Sequence, residues 1–200
     1  MSKRHFLWID TETIGLNEDN QGNKLYNPIL EIGVILTDNQ FNILDEYHAY
    51  IDLLSPQELQ EIINKKENFY EMHITSGLID NWLISKRKTI SKVTDDVCSM
   101  IKDIEGKILL AGSSVSFDKE VLRRNLPCIY DKLYYQILDV SSIKQMMSAI
   151  DEDYVTKVIE SKNYKHYALD DIKESIKELK MYMNYITQGE TNEQHKRLWV

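Results

Sequence analysis

Residues 6–16 read F-L-W-I-D-T-E-T-I-G-L. The first four, Phe6-Leu7-Trp8-Ile9, are a short apolar run of the kind that forms a buried strand. Asp10 and Glu12 follow two residues apart, and on an extended chain residues i and i+2 face the same side. Two carboxylates therefore leave the end of a buried strand pointing the same way. Like charges held together repel unless a cation lies between them, so a divalent metal is one reading of the pair. Ordinary turn carboxylates after a strand are the other. The choice rests on whether the rest of the chain supplies further ligands and a base.

Asn17 to Asn27, rich in Asn, Asp, Gly and Gln, is a loop closed by Pro28. Ile29 to Thr37 (I-L-E-I-G-V-I-L-T) is an apolar, β-branched central strand, and Phe41 to Ile51 continues an antiparallel meander after an Asp38-Asn39 turn. Ser55-Pro56-Gln57-Glu58 combines an N-cap, a proline at the first helical position and an acid two residues on. The helix this starts is broken over Asn64 to Asn68, and the aromatic-rich Phe69 to Leu78 leads into another, running through Ile84. Thr89 caps a helix with Ile90, Val93, Val97, Met100, Ile101 and Ile104 at helical spacing, ended by Gly106. Lys107 to Gly112 is a buried strand leading to a helix that carries Asp118. Tyr134 to Leu138 is a short strand, and Asp139 caps the next helix. Asp151 to Lys162 is helical, and Leu169, Ile172, Ile176, Leu179, Met183 and Ile186 mark the buried side of a last long helix. This order implies an α/β fold with a mixed five-stranded sheet and helices on both faces. It also implies a single domain over 1–190 and a polar C-terminal tail over 191–200.

The 200 residues, 42% hydrophobic and 28% charged, suit one soluble domain with a sizeable core. No run of about 18 apolar residues exists, so no membrane span is expected. Met1 to His5 leads into a strand rather than an apolar signal segment. Cys98 and Cys128 form no C-x-x-C pattern and read as reduced packing residues, so a cytoplasmic location is expected. A net charge of -8 argues against a protein that coats long nucleic acid by neutralising phosphates. It leaves room for a short nucleic acid bound through metal ions, since clustered carboxylates lower the count and the ions restore positive charge locally.

The further ligands come from two places. Asp118 follows the Lys107–Gly112 strand and a serine turn, in the first turn of a helix where the dipole favours a carboxylate; a helix-start acid with no other task is the alternative. In H-Y-A-L-D-D (166–171), Asp171 opens a helix beside the apolar Ile172, so it borders the core. His166, on the preceding loop, titrates near neutrality and can take a proton from water. Dipole-pairing acids and a surface histidine are the competing account. Taken together, Asp10, Glu12, Asp118 and Asp171 could hold two divalent ions about 3.5–4 Å apart that clamp a phosphodiester, with His166 as the base. Ligation by oxygen alone suits Mg²⁺ or Mn²⁺.

With these residues assembled, the chain resembles the DEDD 3′–5′ exonucleases, in the subgroup with a histidine five residues before the last aspartate (DEDDh), and within it the oligoribonucleases. The matching stretches are W-I-D-T-E-T-I-G-L (8–16), I-L-E-I-G-V-I-L-T-D (29–38), H-I-T-S-G-L (73–78), L-D-V-S-S-I-K (138–144) and H-Y-A-L-D-D-I-K-E-S-I-K-E-L (166–179). The resemblance implies a ribonuclease-H-like fold, dependence on divalent metal, and release of nucleoside 5′-monophosphates from the 3′ end of short single-stranded RNA. It also implies a homodimer in which each protomer helps complete the other's substrate pocket. By position, Asp10, Glu12, Asp118 and Asp171 match the metal ligands and His166 the general base. Leu16 matches an apolar wedge between the last two bases, Ser114 a substrate-contacting serine, His73 a histidine ahead of the S-G-L turn, and Tyr135 a tyrosine offered across the dimer.

Three positions depart from the family. Gln136 stands where an arginine would grip a phosphate with a charged fork. Asn68 stands where a tryptophan is usual, leaving Phe69 or Tyr70 to stack on a base. Phe117 replaces a glutamine before Asp118, and the 17–27 loop is longer than expected. These departures touch substrate grip, not chemistry. They keep open a DNA-directed or proofreading-type exonuclease of the same superfamily beside the exoribonuclease. A non-catalytic nucleic-acid-binding module is a third reading, opposed by the presence of all five catalytic residue types.

Overall fold

In the computed structural model, which describes residues 3–14, 28–65, 73–162 and 167–189, strands β1 (Arg4–Thr13), β2 (Ile29–Thr37) and β3 (Ile43–Tyr50) form the antiparallel meander. β4 (Lys107–Gly112) and β5 (Tyr134–Asp139) add to the other side of β1 in parallel. The sheet order is β3-β2-β1-β4-β5. All nine positions of β2 are buried, as its near-continuous apolar run requires of a strand covered on both faces. β3 starts two residues later than Phe41 because a tight turn intervenes. The Asp38 carboxylate accepts the N–H groups of Gln40 (2.8 Å) and Asn42 (2.9 Å), and Phe41 takes a positive φ of 60°.

Helices follow as α1 (Pro56–Lys65), α2 (Leu78–Ile84), α3 (Ile90–Ile101), α4 (Ser116–Asn125), α5 (Pro127–Tyr130), α6 (Val140–Ile150), α7 (Glu152–Glu160) and α8 (Ala168–Gly189). Their ends obey local chemistry. Ser55 and Glu58 form a reciprocal capping box at α1: Glu58 N–H donates to Ser55 Oγ (3.2 Å) and Ser55 N–H to Glu58 Oε2 (2.8 Å). Thr89 caps α3, Asp139 caps α6 and Asp151 caps α7. Gly106, at φ 97°, reverses the chain between α3 and β4, a conformation open to glycine at little cost.

The period of two in β1 divides the core. Leu7 and Ile9 face α3, α4 and α5 through Val93, Val97, Val121, Leu122 and Ile129. Trp8 faces the opposite side with Ile35, Ile172, Ile176 and Leu179, under α8. Asp10 and Glu12, in phase with Trp8, therefore leave β1 on the α8 side. α1 and α2 close a third cluster over Ile14 and Leu30, in which Trp82 donates from Nε1 to Ile51 O (2.9 Å). Cys98 packs against the core as expected. Cys128 does not: it is exposed, since α5 is one short surface turn whose buried residue is Ile129. No helix among the described residues is long and apolar enough to cross a membrane.

Candidate metal centre

Asp10 and Glu12 meet Asp171, from the first turn of α8, so that one carboxylate oxygen from each lies within 4.8 Å of the others. A single glycine makes this approach possible. Gly33 on β2 is the register partner of Asp10. A Cβ at Gly33 would lie 2.8 Å from Ala168 C and 2.9 Å from Leu169 N, so the start of α8 rests directly on the β2 backbone. One turn of helix then brings Asp171 over Asp10. Asp171 N–H donates to Tyr167 O (2.9 Å), and Asn81 of α2 donates from Nδ2 to the Tyr167 hydroxyl (3.1 Å), fixing the start of α8 from the side.

Asp118 reaches the same strand from the other face. It is only 4% exposed, and its Oδ1 accepts both the N–H (2.9 Å) and the hydroxyl (2.7 Å) of Thr11, between the two acids of β1. Asp118 is thus tied to the backbone of the strand and is not one of the three clustered oxygens. Its charge still reaches Asp10. Burial pushes the Asp10 carboxyl well above its usual range, and Asp118 is the strongest of the four acids that add to the effect. Burial raises Glu12 to about 8, helped by Glu31, Asp171 and Asp118. Burial raises Asp118 to about 7, against the two bonds from Thr11 that favour its charge. Carboxylates arranged this way resist ionising together, and a hard divalent cation relieves both the desolvation and the repulsion. The donors are oxygens only, so the residues present fit such an ion.

The remaining candidates separate. Ser114 is exposed beyond the end of β4, with φ 55°; its N–H donates to Asp139 Oδ1 (3.0 Å) and its hydroxyl lies 3.0 Å from Ser141 Oγ. His73 is 4% exposed, and its Nε2 lies 2.9 Å from Thr13 O, so it tethers the end of β1 instead of presenting an open ring. Tyr135 is 72% exposed near the start of the edge strand β5, at the opposite end of the sheet from Asp10. Leu16, Phe69 and His166 lie outside the described residues, as do Asn68, the 17–27 loop and the 191–200 tail. Phe117 packs against the core, and Gln136 is exposed on β5. Among basic side chains, the residue type that could meet a phosphate, Arg123 and Arg124 both pair with Glu120. Arg87 stacks over Trp82 and pairs with Asp52, and Lys88 pairs with Asp96.

Glu31 escaped the sequence reading. It is 1% exposed, opposite Glu12 in register, and its Oε1 lies 2.5 Å from His48 Nε2. The available signal was an acid standing inside an otherwise apolar strand, I-L-E-I-G-V-I-L.

The exonuclease family model (RNase_T) matches residues 7–179. An oligoribonuclease of Wigglesworthia glossinidia brevipalpis is 32% identical over 185 residues, covering 91% of this chain and 92% of its own. This chain belongs to the exonuclease family, with the oligoribonucleases. The mitochondrial oligoribonuclease of Mus musculus is 30% identical over 200 residues, covering 98% of this chain and 78% of its own. Among solved structures, the zinc-ion-bound E. coli ExoI–ssDNA complex matches with a TM-score of 0.57 at 16% identity, over 94% of this chain and 43% of that one. A full-length 3′-exonuclease matches with 0.55 at 16% identity, over 94% and 84%. At that identity the structures speak for the fold, which is the ribonuclease-H-like exonuclease fold. The family makes the protein a 3′–5′ exonuclease, and the Asp10, Glu12 and Asp171 cluster sits in a chain whose family depends on divalent metal.

Proposed function

We propose that this exonuclease shortens oligoribonucleotides from the 3′ end, releasing nucleoside 5′-monophosphates, with Mg²⁺ or Mn²⁺ as its pair of divalent ions. The observation that carries the reading is the meeting of Asp10, Glu12 and Asp171 within 4.8 Å at the end of a buried strand. Those three, with Asp118, are the ligands. When bound, the ions neutralise the carboxylates and polarise both the attacking water and the scissile phosphate. His166 takes the proton of the water as its oxygen attacks phosphorus. The bond from phosphorus to the 3′-oxygen breaks, that oxygen stays with the shortened chain and is protonated, and the phosphate leaves on the 5′ side of the released nucleotide. Thr11 holds Asp118 against β1 through two hydrogen bonds.

Leu16, Phe69 and Ser114 grip the terminal nucleotides, and base stacking on Phe69 is worth roughly 1–3 kcal/mol. His73 acts through the backbone, by holding Thr13. Tyr135 serves the partner's site in a homodimer, which agrees with its exposure far from its own carboxylates. The protein works in the cytoplasm. A DNA-directed activity is the second reading, favoured by Gln136, whose neutral amide lacks the charged fork of arginine.

The test is a product-length time course with Mn²⁺ or Mg²⁺ on 5′-labelled RNA and DNA of matched sequence, from dinucleotides upward, with a chelator control. Rapid loss of short RNA supports the proposal, and preference for DNA supports the second reading. Asp10→Ala should abolish hydrolysis while circular dichroism stays that of the parent; undiminished cleavage by this variant would overturn the site.

A further inference from the structure

Glu31 poses a problem that a structural role does not solve. It lies within β2, where every position is buried, and its side chain is 1% exposed. It pairs in register with Glu12, and directly opposed residues on an antiparallel ladder project from the same face. Glu31 therefore shares the face of Asp10, Glu12 and the start of α8. One oxygen, Oε1, is 2.5 Å from His48 Nε2 on β3. The other, Oε2, is buried and accepts no hydrogen bond among the described residues.

If Glu31 served only to bind His48, a glutamine would accept the same bond without burying a charge beside Glu12. Among nearby acids Glu31 acts most strongly on Glu12, and it also raises Asp10. In the metal-free protein this arrangement is unfavourable twice over, through repulsion and through a desolvated acceptor left unused. Both penalties vanish when a hydrated cation lies against the same face. Magnesium-like ions keep several of their waters, and those waters need acceptors.

Resting on the metal centre proposed above, we propose that Glu31 is a positioning residue for that centre: its free oxygen accepts a hydrogen bond from the water shell of an ion held by Asp10, Glu12 and Asp171, and His48 sets the orientation of the carboxylate. Glu31 touches neither the ion nor the reacting phosphate. Groups one shell out from a metal commonly change affinity 10- to 100-fold when replaced.

The experiment is calorimetric titration of the full-length metal-free protein with Mn²⁺ alone, beside its thermal unfolding without metal, for the parent, Glu31→Gln and Asp10→Asn. Glu31→Gln should bind Mn²⁺ about 10-fold more weakly or worse, while its metal-free unfolding midpoint stays level or rises because a buried charge is gone. Parent-like affinity in Glu31→Gln would overturn the inference. So would a lowered metal-free midpoint or failure to fold, since Glu31 would then be a structural group. Asp10→Asn separates the levels of failure. A parent that binds Mn²⁺ and an Asp10→Asn that does not, with Glu31→Gln unaffected, overturns the role of Glu31 alone. A parent that binds no Mn²⁺ overturns the metal centre and this inference with it.

Discussion

Glu12 and Asp118 carry the clearest pH signature of the metal-free protein. Their carboxyls are raised from the ordinary 4.5 to about 8 and from 3.8 to about 7. A raised carboxyl means that the folded chain binds the proton more tightly than the unfolded one. Its contribution to stability is whole below the unfolded value and is lost as pH climbs through the folded value. The melting temperature of metal-free protein should therefore fall as pH rises from about 5 to about 8. Added Mn²⁺ competes with those protons, so the rise in melting temperature that it causes should be greatest at the alkaline end. Differential scanning fluorimetry across that range, with and without Mn²⁺, checks both slopes. A metal-free midpoint that climbs with pH would contradict the crowding of these acids.

At the scale of elements, the site depends on how closely α8 lies on the sheet. Gly33→Ala would drive a methyl group into Ala168 and Leu169, where the atoms met are two backbone atoms and the Ala168 Cβ, none of which can rotate away. The helix must lift, and Asp171 lifts with it. The expected result is a loss of roughly 1–3 kcal/mol in stability, typical of overpacking, together with weaker Mn²⁺ binding measured by calorimetry. The far side of α8 has a different anchor. Lys162, just past α7, pairs with Glu178 at 2.6 Å, with side chains 7% and 1% exposed, and Tyr182 donates its hydroxyl to the same carboxylate (2.9 Å). Glu178→Ala removes the buried carboxylate that Lys162 and Tyr182 share. Urea denaturation should show a loss of roughly 3–5 kcal/mol. The double replacement Lys162→Met with Glu178→Met should recover much of that loss, because an apolar pair carries no desolvation penalty. A single variant as stable as the parent would mean that the pair is not a buried anchor.

For the whole molecule, the open question is assembly. β5 is an edge strand, and it presents Tyr135 at 72% exposure and Ile137 at 39%. Exposed apolar edges of this kind pair or are covered. Light scattering after size exclusion should give the mass of two chains, not the 23.5 kDa of one. Tyr135→Ala should leave Mn²⁺ binding at the parent value, since the tyrosine is far from its own carboxylates, while slowing cleavage of short RNA. Equal slowing of metal binding and cleavage would place the tyrosine's effect within its own protomer.

Much of the chain was legible because the deciding physics is local. The capping box of Ser55 and Glu58, the caps at Thr89, Asp139 and Asp151, the buried run of β2 and the shared face of Asp10 and Glu12 all depend on neighbours a few residues away. The turn that delays β3 at Phe41 was less visible, because alternation along a strand says nothing about a positive φ just before it. Asp118 could be read as an acid at a helix start, but its bonds to Thr11 span 107 residues and no local pattern encodes them. Gly33 gave no sign that a helix starting 135 positions later would rest on it. Glu31 and His48 meet across a ladder whose register only the folded meander sets. Residue order alone settles which positions carry charge and which local element each occupies, through steric preference and short-range hydrogen bonding. Tertiary structure alone decided which charges share a face and at what distance, because that depends on how closely separate elements pack.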